Sequence, residues 1–224
     1  MKKTILLLTL LSIHLLGSDL FLKQFFNDNQ CDQILKNNGY FQTCYSYKNK
    51  GAKYVAYTID GSKVNLKNIK KRPRFYEDLH IPKKYRSRYS DYTHNTFKAD
   101  RGHLAPDAAF DWSQKSLNAV YVMSNIIPQH YSLNRGSRAW KGLEKYGRVL
   151  ATKMGKVDVL NGVVYSKSSQ RIGRDQISIP TAFWKMYYNK SQDFQRCFYF
   201  ENKPEIKGTK IKDYEVDCRK LLRY

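Results

Sequence analysis

Alternating apolar and polar positions predict β-strands along much of the chain. Residues 40–47 alternate aromatic with small polar side chains, and residues 54–59 are β-branched and aromatic, a composition that favours strands. Asp60-Gly61-Ser62 follows as a hairpin signal. Residues 40–66 are therefore predicted to form an antiparallel meander. Further strands are predicted over residues 121–125, 157–165, 177–188 and 197–201.

Helical spacing of apolar residues marks two other segments. Residues 137–154 carry apolar side chains at the spacing of one helix face, namely Trp140, Leu143, Tyr146, Val149 and Leu150. Residues 20–38 are also predicted to be helical. The chain of 224 residues has the length of one domain and contains no internal repeat. Together these elements predict an α+β fold with a mixed, mainly antiparallel sheet core and packed helices.

Residues 65–92 follow neither the strand period nor the helix period. The segment is basic and contains Pro73 and Pro82, which interrupt regular structure. We therefore predict an irregular loop with one helical turn. Loops of this length inside a compact domain are often functional.

The balance of charges indicates a polyanionic partner. Lys and Arg number 40 against 19 Asp and Glu, which gives a net charge of +21. Nucleic acids, anionic membranes and acidic glycans all satisfy this electrostatic argument. Because 42% of the residues are hydrophobic and 14% are aromatic, the chain is a folding protein and not a disordered polycation.

The N-terminus has the pattern of a secretory signal. Lys2 and Lys3 precede an apolar run over residues 4–16, and small Gly17 and Ser18 follow. We therefore interpret residues 1–18 as a signal peptide and residues 19–224 as a single domain, in the periplasm or secreted. A retained membrane anchor is the alternative, although the apolar run is short for a membrane span.

Four cysteines in an exported chain are compatible with two disulfides. Cys31, Cys44, Cys197 and Cys218 allow three pairings. The local pairs, Cys31 with Cys44 and Cys197 with Cys218, are favoured because each would fix a terminal segment. Since no pair has the short Cys-x-x-Cys spacing, a zinc site is disfavoured.

The segment Asp100-Arg101-Gly102-His103-Leu104-Ala105-Pro106 carries the residue types that phosphodiester hydrolysis requires. A histidine can deprotonate water near neutral pH. An adjacent arginine can hold a phosphate through two hydrogen bonds. The neighbouring glycine suggests a position where backbone can approach a ligand closely.

This segment resembles the signature of the DNA/RNA non-specific endonuclease family, whose fold contains a ββα-metal active-site motif. Similar motifs follow in order on both sides of it, spanning about residues 40–190. They are Arg72-Pro73-Arg74-Phe75-Tyr76-Glu77-Asp78, Ser124-Asn125-Ile126-Ile127-Pro128-Gln129, Leu133-Asn134-Arg135-Gly136, Trp140-Lys141-Gly142-Leu143-Glu144 and the late strand from Ile179-Pro180 to Trp184-Lys185.

The resemblance implies a role for each matching residue. His103 would be the general base, and Asn134 would bind one divalent cation, Mg²⁺ or Mn²⁺. Glu144 would accept hydrogen bonds from water on that cation. Arg101 and an upstream basic residue, Arg72, would hold the scissile phosphate. Alternatives remain open: Asn125 as the amide ligand, and Arg74 or Lys71 in place of Arg72.

The resemblance therefore predicts a nuclease domain over residues 19–224 that cuts DNA and RNA with little sequence preference and leaves 5′-phosphate ends. It is compatible with a homodimer and with an inhibitor protein as partner. No stable membrane association is expected after the signal is removed. The competing hypothesis is a non-catalytic protein that binds nucleic acid or surfaces through its charge of +21 alone.

Overall fold

A computed structural model describes residues 22–136, 139–205 and 210–221. The predicted signal peptide, residues 1–18, lies outside these described residues. Within the described part of the chain, no helix has the length and apolar character needed to cross a membrane.

A seven-stranded sheet forms the centre of the fold, and every adjacent pair of its strands is antiparallel. Its strand order is β1-β2-β3-β6-β9-β10-β11. Two further antiparallel pairs form separate two-stranded sheets. The β7-β8 pair is a short hairpin, and the β4-β5 pair is an open hairpin whose long connection contains the helix Gln114–Val120. The strands are β1 (Gln33–Leu35), β2 (Phe41–Ser46), β3 (Gly51–Asp60), β4 (Ala99–His103), β5 (Ile126–His130), β6 (Lys156–Val164), β7 (Arg171–Ile172), β8 (Ile177–Ser178), β9 (Ala182–Asn189), β10 (Phe194–Glu201) and β11 (Glu215–Val216).

Four α-helices accompany the strands in the described residues: α1 (Gln114–Val120), α2 (Tyr131–Arg135), α3 (Trp140–Met154) and α4 (Cys218–Leu221). The predicted helix over residues 137–154 thus corresponds to α3, which ends where Gly155 adopts a φ of 83°, a backbone conformation that glycine accepts without strain. The predicted α+β class with a mainly antiparallel sheet is confirmed.

Three of the predicted elements differ from the structure. Residues 22–23 are helical as expected, but over residues 24–38 the expected helix is wrong, because Gln33–Leu35 pairs with β2 and the Cys31–Cys44 disulfide holds the segment against the sheet. The expected strand over residues 121–125 is also wrong: Met123–Asn125 is a 3₁₀ turn, and the strand begins at Ile126. Residues 177–188 form two strands, since Pro180 lies between them and lacks the N–H that a ladder needs.

The predicted irregular segment before β4 is confirmed in outline. It contains two 3₁₀ turns, Lys83–Tyr85 and Tyr89–Tyr92, where one helical turn was expected. This segment packs beside the β4–β5 hairpin, because Tyr76 forms a parallel bridge with Val122 and the backbone N–H of Met123 donates to the carbonyl of Tyr76.

The central sheet has two differently built faces. The face toward α3, called here the helix face, buries Val55, Tyr57, Val159, Phe183 and Tyr187 together with Trp140 and Leu143. The opposite face, called here the disulfide face, buries Tyr54, Ala56, Leu160, Trp184 and Met186. Cross-strand partners such as Tyr54, Gly162 and Trp184 share the disulfide face.

Both favoured disulfides are present in the structure. Cys31 bonds to Cys44, and Cys197 bonds to Cys218. All four cysteines pack with the hydrophobic residues of the disulfide face. The two bonds therefore fix an N-terminal segment and the C-terminal helix α4 to the same side of the sheet.

Candidate active site

The β4–β5 hairpin positions the candidate catalytic histidine at the end of a strand. β4 pairs with β5 from Ala99, opposite His130, to His103, opposite Ile126. Because side chains alternate along a strand, Arg101 and His103 occupy one face of the hairpin and Asp100 and Gly102 the other. The hairpin therefore places Arg101 and His103 side by side.

His103 lies in an aromatic pocket that withdraws part of its ring from water. Its ring centroid is 4.8 Å from that of Tyr121 and 5.5 Å from that of Phe75. The Nε2 atom is buried and has no hydrogen-bond partner among the described residues. Burial lowers the pKa of His103 to about 4, while the charge of Asp107 acts in the opposite direction and that of Arg72 lowers the pKa further. The imidazole is consequently neutral at pH 7, the form that accepts a proton.

Asp107 pairs with the upstream arginine beside the His103 pocket. The Arg72 Nε atom lies 3.1 Å from an Asp107 carboxylate oxygen, and the Tyr121 hydroxyl donates to that same oxygen at 3.1 Å. Arg72 also contacts Asp111 at 3.4 Å. Arg72 therefore stands beside the His103 pocket, with its charge shared between two carboxylates. Arg74 and Lys71, the alternatives to Arg72, are exposed.

Arg101 lies flat on an aromatic ring next to the site. Its guanidinium carbon is 3.5 Å from the centroid of Tyr89, and its Nη2 donates to the Tyr89 carbonyl at 3.1 Å. The Tyr89 ring also contacts Phe75, which in turn contacts His103. This stacking fixes the plane of the guanidinium. Its buried Nε has no partner among the described residues.

Gly102 is required by packing against the neighbouring strand. A Cβ at this position would lie 2.3 Å from the Gln129 Oε1 atom and 2.7 Å from the Gln129 Cβ. Gln129 is fully buried. Glycine between Arg101 and His103 therefore lets the side chain of the neighbouring strand close over β4.

Glu144 lies on α3, where the helix passes the catalytic strand. The residue is half-buried, and burial raises its pKa to about 7, while the charge of Lys185 opposes this rise. The indole N–H of Trp140, one helical turn earlier, donates to the His103 carbonyl at 3.3 Å and also interacts with the Glu144 carboxylate. Trp140 thus brings Glu144 and His103 to one site.

Asn134 is held by a different part of β4. Its side-chain nitrogen donates to Asp100 Oδ2 at 2.9 Å, and Arg135 binds the same carboxylate. Since a carboxylate only accepts hydrogen bonds, this contact fixes which end of the amide is the nitrogen and leaves its carbonyl oxygen for a ligand. No direct contact joins Asn134 to His103 or Glu144 in the described residues.

The rival amide, Asn125, is fully engaged with the backbone. Its nitrogen donates to the carbonyls of Ala105 and Val120, and its oxygen accepts from the Ala105 N–H. These bonds hold the segment after His103 in place. The geometry therefore favours Asn134 over Asn125 as the amide with a carbonyl oxygen free to bind a cation.

Three charged residues near this site were given no role in the sequence-based prediction. Asp107 contacts Arg72 and influences His103. Arg148, one turn after Glu144 on α3, has a buried guanidinium nitrogen without a partner among the described residues. Lys185 is fully buried in β9. The four-residue spacing of Glu144 and Arg148 was a usable signal for Arg148, whereas nothing in the sequence placed Lys185 near α3.

The side chains available at this site suit a hydrated cation that prefers oxygen ligands. Among the described residues no group of three or more His, Cys, Asp and Glu side chains is arranged to hold a metal ion. Mg²⁺ and Mn²⁺ keep several of their waters, so a single amide oxygen and a nearby carboxylate are compatible with them. A zinc centre built from histidine and cysteine is not compatible with this arrangement.

Comparison with known proteins identifies the family. The sequence model of the DNA/RNA non-specific endonucleases matches residues 17–224. The chain belongs to this family. It is therefore a nuclease, an enzyme that hydrolyses nucleic acids.

Several characterised relatives of this nuclease are mitochondrial. Human mitochondrial endonuclease G is 27% identical over 202 residues, covering 84% of this chain and 67% of the relative. The mitochondrial nuclease of Saccharomyces cerevisiae is 28% identical over 211 residues, with coverages of 84% and 63%. A salivary endonuclease of Lutzomyia longipalpis is 27% identical over 192 residues, with coverages of 75% and 46%. This chain thus spans about two thirds of the human and yeast relatives, and under half of the salivary one.

A solved structure shares the fold of this nuclease. The crystal structure of EndoG in complex with EndoGI, which concerns the mechanism of EndoG inhibition, superposes with a TM-score of 0.71 at 24% identity. The match covers 82% of this chain and 80% of the other. At this identity the likeness establishes the common fold.

Proposed function

We propose that this nuclease is a metal-dependent endonuclease that cuts both DNA and RNA with little sequence preference, with His103 as general base. The observation that carries the proposal is the state of His103. Its ring is neutral at pH 7, and its buried Nε2 lacks a partner among the described residues at the end of a strand beside Arg101. A neutral nitrogen with no partner can accept the proton of an attacking water.

The chemistry is a single displacement at phosphorus. His103 takes one proton from a water molecule, whose oxygen forms a bond to the phosphorus as the bond to the 3′ oxygen breaks. The 3′ oxygen gains a proton from solvent water and leaves as a hydroxyl group, while the phosphate stays on the 5′ side. His103 then returns its proton to solvent. No covalent enzyme intermediate forms, because the nucleophile is water.

A divalent cation completes the proposed site, and the residues present fit it. Asn134 would bind Mg²⁺ or Mn²⁺ through its carbonyl oxygen, which the Asp100 contact leaves available. Glu144 would accept hydrogen bonds from the water molecules of the cation. When bound, the cation would neutralise charge on the phosphate and on the departing oxygen.

Phosphate binding is assigned to arginines around the His103 pocket. Arg101 presents a guanidinium that Tyr89 holds in a fixed plane, and Arg72 stands beside Asp107. Arg74 remains an alternative to Arg72, because it is exposed and makes no ion pair among the described residues. Arg148 is an additional candidate because of its unpartnered nitrogen. Contacts of this kind read the backbone and not the bases, which supports low sequence preference.

An exported location fits the chemistry of the chain. The two disulfides are stable in an oxidising compartment such as the periplasm or the extracellular space. The relatives differ here, since most are named as mitochondrial and one is salivary. Because EndoG was solved with EndoGI, an inhibitor protein is a reasonable partner to propose. The homodimer stays a prediction.

The test compares wild type with His103→Ala on supercoiled DNA and on RNA, each with Mg²⁺, Mn²⁺ or a chelator. We expect the wild type to degrade both substrates only with metal, and the variant to be inactive although folded. His80→Ala is the matched control, because the His80 side chain is 86% exposed and lies outside the site. Equal cutting by the wild type and His103→Ala would refute the base assignment. If wild type binds nucleic acid but never cuts it, the non-catalytic binding protein is the better description.

A further inference from the structure

A lysine is buried in the core directly behind the candidate active site. Lys185 occupies the middle of β9, on the helix face between Phe183 and Tyr187, and its exposed fraction is 0%. Burial of an ammonium group away from water is strongly unfavourable unless other groups compensate its charge. The groups around Lys185 therefore indicate what its charge does.

Lys185 has few hydrogen bonds but several electrostatic partners. Its Nζ lies 3.4 Å from the Tyr57 hydroxyl and 4.2 Å from the centre of the Trp140 indole. An ammonium has three donors, and Tyr57 is its hydrogen-bond partner among the described residues. Glu144 contributes an opposing negative charge at longer range, since no ion pair joins its carboxylate to Lys185 among the described residues. Burial lowers the pKa of Lys185 to about 8, and Glu144 opposes the decrease, so the amine is predominantly a cation at pH 7.

This cluster is linked by hydrogen bonds to the strand that carries the base. The Trp140 indole N–H donates to the His103 carbonyl at 3.3 Å. Asn161, the cross-strand neighbour of Lys185, donates to the Leu104 carbonyl at 3.3 Å. Two consecutive carbonyls at the end of β4 are thus held by side chains that surround Lys185.

We propose that Lys185 is a positioning residue: its buried ammonium holds the Trp140 indole, and through Trp140 it orients the Glu144 carboxylate and the strand end at His103. The inference rests on the proposed function, because it assigns Glu144 to the water molecules of the cation. Lys185 itself touches neither substrate nor metal. Its effect passes through Glu144 and Trp140.

A purely structural lysine makes a different prediction from a positioning lysine. Replacing Lys185 alone leaves the Glu144 charge without its opposing partner, and the loss of one partner of a buried pair is usually destabilising. Lys185→Met should therefore lower the thermal unfolding temperature in either role, and Mn²⁺ binding is the measurement that separates the two. A structural lysine would give a less stable protein with unchanged metal binding.

The experiment measures Mn²⁺ binding and catalysis in the full mature chain. For Lys185→Met we expect Mn²⁺ affinity, measured by calorimetry without substrate, to fall about tenfold, and kcat on DNA to fall by about the same factor. KM should change little, because the arginines that hold phosphate are untouched. Unchanged Mn²⁺ affinity and unchanged kcat in a folded variant would overturn the proposal.

A double-mutant cycle with Glu144→Gln tests the route of the effect. If Lys185 acts through the Glu144 carboxylate, Lys185→Met should lower Mn²⁺ affinity about tenfold in the wild-type background. In the Glu144→Gln background the same substitution should lower the affinity by less than about twofold. Equal losses in both backgrounds would show that Lys185 acts independently of Glu144, which contradicts the proposal.

Tyr187→Phe is the matched packing control. It removes the 2.8 Å hydrogen bond from the Tyr187 hydroxyl to the Leu143 carbonyl, which also joins β9 to α3 but involves no charged side chain. We expect a lower unfolding temperature and unchanged Mn²⁺ affinity. Should Tyr187→Phe reduce Mn²⁺ affinity as much as Lys185→Met, the effect would be one of packing and the proposal would be wrong.

Two further arms keep the test decisive. If Lys185→Met does not fold, Lys185→Gln replaces it, since an uncharged amide can still bond to Tyr57. If the wild type neither binds Mn²⁺ nor cuts nucleic acid, the proposed function fails and this inference fails with it. If the wild type does both and the Lys185 variants match it, only the role of Lys185 is refuted.

Discussion

The two faces of the central sheet bury different kinds of side chain. The disulfide face packs Tyr54, Leu160, Trp184 and Met186 around two disulfides. The helix face also has a large apolar core, but it includes fully buried Lys185 and Asn161, and Asn161 Oδ1 lacks a partner among the described residues. Buried polar groups of this kind cost free energy. The helix face is therefore less well optimised for stability.

The difference indicates that the helix face supports the candidate active site, whereas the disulfide face contributes mainly to stability. The polar groups of the helix face surround the end of β4, where His103 and Glu144 lie, whereas the disulfide face contains none of the candidate site residues. Proteins commonly accept unfavourable polar burial at functional sites and recover stability elsewhere. Substitutions of the candidate site residues beside the helix face should thus affect activity more than stability, and substitutions on the disulfide face the reverse.

The largest expected effect is at His103, in the candidate site beside the helix face. His103→Ala should reduce kcat by about 10²–10⁴-fold, the contribution of a general base. Its unfolding free energy should stay close to that of wild type, because the variant removes a buried nitrogen without a partner. Single-turnover cleavage and urea denaturation measure the two quantities. A large loss of stability accompanied by a small loss of activity would contradict the expectation that site substitutions affect activity more than stability.

The converse experiment removes a crosslink from the disulfide face. The double variant Cys31→Ala with Cys44→Ala opens a loop of 13 residues and should lower the unfolding free energy by about 3 kcal/mol, since the unfolded chain gains conformational freedom. Specific activity at a temperature where the variant is folded should remain within about twofold of wild type. Lost activity in the folded variant would show that the two faces are coupled.

A third prediction concerns the pH dependence of stability in metal-free protein. Because the pKa of His103 falls from 6.5 in the unfolded chain to about 4 in the folded one, its contribution to stability is complete above pH 6.5. It is lost as the pH falls toward 4, where the unfolded chain binds a proton that the folded state resists.

The matched variant His103→Asn isolates this contribution. The difference in unfolding free energy between wild type and variant should change by about 2 kcal/mol between pH 7 and about pH 4.5, to the disadvantage of wild type at low pH. Other titrating groups cancel in the difference. A constant difference across this range would mean that the folded pKa of His103 is not depressed.

The smallest expected effect concerns an exposed phosphate contact. Arg74→Ala should weaken DNA binding by less than about tenfold and reduce the salt dependence of log K by about one unit, as for the loss of one phosphate contact. Lys23→Ala is the control, because exposed Lys23 follows Leu22, which packs on the disulfide face. Each substitution is made in a catalytically inactive variant, and DNA binding is measured at several salt concentrations to give the slope of log K for both. Equal slopes for the two variants would place the substrate path elsewhere.

Local sequence determined much of this protein. The apolar spacing of residues 140–154 predicted α3. Alternation predicted β2, and β-branched and aromatic composition predicted β3. The local cysteine pairs, each of which fixes a terminal segment, are the two disulfides that form. The Asp-Arg-Gly-His segment with its flanking motifs led to the family, and within it to His103 and Glu144. These features are readable because each depends on neighbours within a few residues of the chain.

Only the tertiary structure decided which distant residues meet. Pairing with β2 turned residues 33–35 into a strand despite their helical appearance, the side chain of Gln129 explained Gly102, and β9 brought Lys185 behind Glu144. Such contacts join residues far apart in the chain, and the sequence records no distance between them. A lysine within an otherwise apolar strand looks like a solvent-facing residue until the helix that covers it is known.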